Sequence, residues 1–144
     1  MRVTRATVTV GPRTTGAIGP GLLIYLGVGA ADTDADADYL ADKLYGLRVF
    51  EDASGRMNLD LAATTRAALV VPQFTLYGDT RRGRRPAFDA AMEPVRAEAL
   101  YLRVVALLRA RGLSVETGEF RAHMQVDAVN DGPVTLLLDS ARTF

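Results

Sequence analysis

The sequence predicts an α/β fold: a layered sandwich of mixed or antiparallel β-sheet carrying two main helices. Three observations predict it. Residues 3–10 alternate polar and apolar, two short apolar runs suit strands buried on both faces, and two longer stretches carry apolar residues at helical spacing.

From Val3 to Val10, Ala6, Val8 and Val10 fall on one face and Thr7 and Thr9 on the other, as in a half-buried strand. Gly11-Pro12 ends it, and a short segment around Gly16-Ala17-Ile18 leads through Gly19-Pro20-Gly21 into Leu22–Leu26, a central strand. A helix is expected from Asp34 to Gly46: Tyr39, Leu40, Lys43 and Leu44 keep helical spacing. Asp32, Asp34, Asp36 and Asp38 gather where a helix dipole favours negative charge. These alternating acids do not make a calcium loop, because Ala37 stands where the turn glycine belongs and Lys43 where the bidentate Glu belongs.

A strand over Leu47–Glu51 is expected next, then a turn at Asp52-Ala53-Ser54-Gly55 toward Met57-Asn58-Leu59. The run Ala67–Val71 enters Pro72 and is expected to continue extended through Gln73-Phe74-Thr75-Leu76. The long helix starts at Pro94, with Val95, Ala99, Leu102 and Ala106 on one apolar face and Gly112 as its left-handed cap. Strands near Val115–Phe120, Met124–Val129 and Val134–Leu138 close the chain. No repeat or linker divides it, so one domain spanning residues 1–144 is expected.

Composition narrows the chemistry. The longest apolar stretch, Leu22–Val28, is too short to cross a bilayer, and Met1-Arg2 opens no signal peptide, so a cytoplasmic protein without membrane attachment is expected. The absence of cysteine removes disulfides, thiolate zinc sites and Cys nucleophiles. With His123 as the single histidine, a His-rich metal site cannot be built. His123 itself, at the start of a strand, reads as structural. A net charge of zero leaves room for one local basic patch, Arg81, Arg82, Arg84 and Arg85. That run suits either a solvated loop or a phosphate contact, and the second is preferred.

The order of several segments is more specific than any one of them. Gly16-Ala17-Ile18-Gly19, Leu47-Arg48-Val49-Phe50-Glu51-Asp52, Gly55-Arg56-Met57-Asn58, Gln73-Phe74-Thr75-Leu76-Tyr77-Gly78-Asp79, Gly83-Arg84-Arg85-Pro86 and Asn130-Asp131-Gly132-Pro133-Val134-Thr135 follow one another over nearly the whole chain. In this, the chain resembles the D-aminoacyl-tRNA deacylases, also called the D-tyrosyl-tRNA deacylase family. The resemblance implies hydrolysis of the ester between a D-amino acid and tRNA, by a homodimer with no metal or organic cofactor. Gln73, Phe74 and Thr75 match the family's catalytic motif. Gly132-Pro133 matches its chirality filter, a Gly-cisPro pair that each subunit inserts into its partner's pocket. Arg2, Asn130 and Thr135 match the residues around that loop. A steric filter of this kind rejects L side chains and predicts some action on glycyl-tRNA, which has no side chain to exclude.

Thr75 stays open to three roles: nucleophile, water-positioning group or structural residue. A Thr hydroxyl needs a neighbouring base, and this chain is poor in them, so the main-chain N–H groups of Phe74 and Thr75 are the favoured oxyanion donors. Pro72 stands where the family usually has Ser. It also resembles the animal-type sister enzyme, whose motif begins Pro-Gln and which removes an L-amino acid from a mischarged tRNA. Phe74, Tyr77-Gly78-Asp79 and Val134 follow the D-specific pattern instead. Arg121 and His123 replace a common Gly and Asp and are expected at the pocket rim. The alternative from another class is a non-catalytic RNA-binding dimer module of the same fold.

Overall fold

In the computed structural model, which describes residues 1–143, the chain runs β1 (Arg2–Val10), β2 (Arg13–Ile18), β3 (Gly21–Leu26), α1 (Asp34–Tyr45), β4 (Phe50–Glu51), β5 (Met57–Leu59) and α2 (Leu61–Thr64). It continues through β6 (Ala67–Pro72), a 3-10 turn (Phe74–Tyr77), α3 (Pro94–Ala110), β7 (Val115–Thr117) and β8 (Gln125–Asn130). β1 lies antiparallel to β2, β3 and β8, whereas β3, β6 and β7 run parallel, so the main sheet is mixed.

β3 and β6 are apolar on both faces because each face meets a different core. Leu22, Ile24 and Leu26 of β3, with Ala68 and Val70 of β6, face α1 and α3. Their alternate neighbours Leu23, Leu69 and Val71 join Val3, Ala6, Val8 and Ile18 in a second cluster, enclosed where the sheet curls over itself. Burying each such Leu or Val contributes about 1.5–3 kcal/mol. The curl brings β2 against β7 closely: a Cβ at Gly16 would lie 2.6 Å from the Thr117 carbonyl oxygen, so only glycine fits there.

The helices follow their end signals. At α1, the Asp36 carboxylate accepts from the Thr33 N–H at 2.8 Å and closes a capping box. Asp34 and Asp38 instead pair with Arg103 of α3, at 3.5 and 2.7 Å. At α3, Pro94 occupies the first turn, the Glu93 carboxylate accepts from the Val95 and Arg96 N–H groups, and Gly112 takes φ +84°.

Four expectations differ from what is observed. The strand expected over Leu47–Glu51 shrinks to Phe50–Glu51, because the Val49 carbonyl is taken by the Arg2 guanidinium at 2.8 Å and not by a strand. The extended run expected through Gln73–Leu76 breaks after Pro72. The Gln73 N–H makes one last bond to the Leu26 carbonyl at 2.9 Å, and the chain then winds into the 3-10 turn. On α3 the buried face is Ala97, Leu100, Tyr101, Val104, Val105 and Leu108, while Val95, Ala99, Leu102 and Ala106 face solvent. Val134–Leu138 forms no strand: among the described residues its one backbone bond to a strand is from the Arg2 N–H to the Val134 carbonyl, at 2.9 Å, and no ladder continues from it.

Candidate active site

The 3-10 turn stands at the C-terminal ends of β3 and β6, where the two parallel strands stop together. Tyr77 anchors it. The Tyr77 ring lies on the Gly27–Gly29 backbone so closely that a Cβ at Gly29 would sit 2.7 Å from its hydroxyl oxygen. That hydroxyl reaches Asp32 at 3.4 Å, and its pKa is pushed up to about 12, first by burial and then by the Asp32 charge.

Beside the turn opens a cavity of about 560 Å3. Its deep wall is apolar and aromatic, with Val71, Met92, Tyr101 and Phe120; its exposed rim carries Gln73, Phe74, Arg121 and His123. The Phe74 ring meets Phe88 edge-on at 5.0 Å and is otherwise 60% exposed. Tyr101 is fixed by a buried hydrogen bond from its hydroxyl to the Val70 carbonyl at 2.9 Å; burial pushes its pKa up to about 12.

The first turn of any helix leaves N–H groups without intrahelical acceptors. Here the Phe74 and Thr75 N–H groups have no acceptor among the described residues, while the Gln73 side-chain amide donates to the Thr75 hydroxyl. The site therefore offers unpaired main-chain donors beside an apolar cavity, with no base held against Thr75. His123 lies on the rim of the same cavity, on the loop before β8.

Arg81, Arg82, Arg84 and Arg85 lie on an exposed loop closed by reciprocal Asp79–Ala87 backbone hydrogen bonds at 2.8 and 2.9 Å. Its base adjoins the cavity through Phe88. Arg81 is held by the Asp79 carboxylate at 2.6 Å, which pulls the Asp79 pKa down to about 2. Arg82, Arg84 and Arg85 make no ion pair among the described residues.

Gly132-Pro133 lies away from this cavity, and its peptide bond is cis, with Gly132 at φ +118°. The loop is pinned from inside. Arg2, 6% exposed, reaches the Asp131 carboxylate at 3.0 Å and the Val49 carbonyl at 2.8 Å, and its own main chain bonds Asp131 and Val134. Asn130 donates to the Arg2 and Val134 carbonyls, at 2.9 and 3.1 Å, and accepts from the Thr135 hydroxyl at 3.3 Å. Arg2, Asn130 and Thr135 are thus gathered around Gly132-Pro133, while Gln73 and Phe74 line the cavity, and Thr75 and the four arginines of the loop do not.

Tyr101, Phe88, Phe120 and Met92 were not singled out from the sequence. Tyr101 carried a usable signal, as the only aromatic on the long helix; Phe88, in a polar loop, carried none.

The family model described as D-Tyr-tRNA(Tyr) deacylase matches residues 1–139. A protein of Symbiobacterium thermophilum named D-aminoacyl-tRNA deacylase is 59% identical over 143 residues, covering 99% of this chain and 95% of that one. One of the same name from Myxococcus xanthus is 61% identical over 139 residues, covering 96% and 91%. Among solved structures, the c-Myc DNA Unwinding Element Binding Protein superposes with a TM-score of 0.87 at 40% identity, covering 94% of this chain and 92% of that one.

Proposed function

The chain belongs to the D-Tyr-tRNA(Tyr) deacylase family, and from that premise we propose that it hydrolyses the ester of D-aminoacyl-tRNA, releasing the free D-amino acid and tRNA. The observation that carries this reading is a pair of unpaired N–H donors on consecutive residues, Phe74, which lines an apolar cavity, and Thr75, next to it in the turn.

An aminoacyl ester is already reactive, so the protein needs to supply orientation and charge stabilisation more than a strong nucleophile. Water adds to the ester carbonyl, and the oxygen that gains negative charge points at the Phe74 and Thr75 N–H groups. The acyl carbon–oxygen bond then breaks. The ribose oxygen leaves with one proton of the attacking water, assisted by the substrate's own vicinal hydroxyl; the other proton passes to solvent, and the amino acid departs as its carboxylate. Gln73, hydrogen-bonded to the Thr75 hydroxyl, holds the turn in shape. Arg82, Arg84 and Arg85 hold backbone phosphates of the acceptor end.

Selection for the D form rests on Gly132-Pro133 of a second subunit. Three features support an action across a dimer. Gly132 and Pro133 line neither cavity of their own chain, their loop is held by buried Arg2, and residues 134–138 beside it belong to no strand, with Leu137 72% exposed. Entry of this rigid loop into the partner's cavity excludes an L side chain and leaves a D side chain free, so glycyl-tRNA is also cleaved. The protein works in the cytoplasm as a homodimer.

The test is incubation with D-tyrosyl-tRNA, L-tyrosyl-tRNA and glycyl-tRNA, with sedimentation to determine the oligomer. Loss of the D ester, partial loss of the glycyl ester, retention of the L ester and a dimer are expected. Loss of the L ester would favour the animal-type reading, and tRNA binding without hydrolysis the non-catalytic module.

A further inference from the structure

Arg121 stands in a conformation that L residues avoid, at φ +63°, where a side chain crowds the following carbonyl. Its segment explains the geometry but not the residue. Phe120 turns inward, its ring 6.1 Å from that of Tyr101, and the Ala122 N–H bonds back to the Glu119 carbonyl at 3.3 Å, so the chain must reverse sharply at 121. Glycine would do this without strain. A long cation stands there instead, exposed on the rim of the same cavity as Gln73 and Phe74.

The nearby charges leave that cation free. Glu119, the carboxylate on this loop, is taken by Arg13 of β2 at 2.5 Å. Arg121 itself makes no ion pair or side-chain hydrogen bond among the described residues. His123 shares the rim, and the unpaired Arg82, Arg84 and Arg85 rise from the loop that reaches the cavity through Phe88. Among the described residues no carboxylate lines this cavity, so Arg121 has no counter-charge within the lining. Strain kept at a rim residue points to function rather than to packing.

We propose that Arg121 is a positioning residue that grips a phosphodiester of the terminal nucleotides of the substrate tRNA. This rests on the deacylase reading above. The geometry also orients the substrate: a guanidinium attracts the phosphate and repels the α-ammonium, so the aminoacyl end enters with its amino group turned away from Arg121.

The test compares wild type, Arg121→Gly and Arg121→Lys on D-tyrosyl-tRNA, and on a phosphate-free probe, the non-hydrolysable amide of D-tyrosine with 3′-amino-3′-deoxyadenosine. Arg121→Gly is expected to raise KM about three- to ten-fold with kcat unchanged. It should also make the salt dependence of kcat/KM shallower by about 0.7 in log–log slope, and raise Tm by about 1–3 °C as strain is relieved. Arg121→Lys keeps KM within about two-fold of wild type. The amide binds all three proteins alike. An unchanged KM and salt slope in Arg121→Gly, equal weakening of the amide, or a lowered Tm would each overturn the assignment. Wild type leaving D-tyrosyl-tRNA intact would instead refute the deacylase reading, and the salt slope of tRNA binding would then still test Arg121.

Discussion

Arg2 joins the ends of the chain by serving the loop at 131–134 with both its side chain and its main chain. A guanidinium this buried is costly unless its donors are satisfied, and here they meet the Val49 carbonyl and Asp131, with Glu51 at 3.7 Å. Arg2→Leu keeps the apolar stem but orphans those acceptors; a loss of about 3 kcal/mol in denaturant unfolding is expected. Discrimination between D and L esters should fall with it, because the Gly132 loop loses its internal tie. Tyr77 and Tyr101 make a separate statement at this scale. Both keep their protons in the folded state until about pH 12. Their contribution to stability is therefore complete below the unfolded-state value near 10 and disappears as pH rises through about 12. Tyrosinate absorbance should show these two of the five tyrosines ionising late, together with unfolding.

Among the elements, the 79–87 loop is the one whose charges are most unequal. Asp79 neutralises Arg81 and orients it along the loop, leaving Arg82, Arg84 and Arg85 as free cations. Arg82→Ala and Arg84→Ala should each weaken tRNA binding and flatten its salt dependence by about 0.7 in log–log slope, and Arg81→Ala by clearly less. Equal slopes for all three would mean that the loop makes no phosphate contact. The elements also show where sequence was informative. β3 and β6 were legible because a strand facing two cores has no polar side. The long helix was legible as a helix but not in its orientation: Val95, Ala99, Leu102 and Ala106 repeat as regularly as Ala97, Leu100, Tyr101, Val104 and Leu108, and only the partners beneath choose between the stripes. Gln73–Leu76 has strand composition, yet Pro72 ends the ladder and the turn is fixed by Tyr77 on glycines far earlier in the chain. Val134–Leu138 also has strand composition, but it pairs with no strand among the described residues.

For the whole molecule, the candidate segments were readable as motifs and the cavity was not. Gln73, Phe74, Gly132 and Pro133 stand in contiguous segments, whereas the cavity wall is assembled from β6, α3 and the loops around Phe88 and Phe120. No local pattern encodes that assembly. The two candidate segments are apart within one subunit: Gln73 and Phe74 line one cavity, and Gly132-Pro133, on the Arg2-held loop, does not line it. The shared strands carry a further consequence. Because β3 and β6 give alternate residues to both clusters, neither core can open while the other stays packed. Amides along these two strands should therefore exchange with solvent deuterium only through global unfolding, whereas those of the arginine loop and of the 134–138 segment, which lies in no strand, exchange by local opening. The segments proposed to meet tRNA and the second subunit are then the ones free to fluctuate, on a centre that does not.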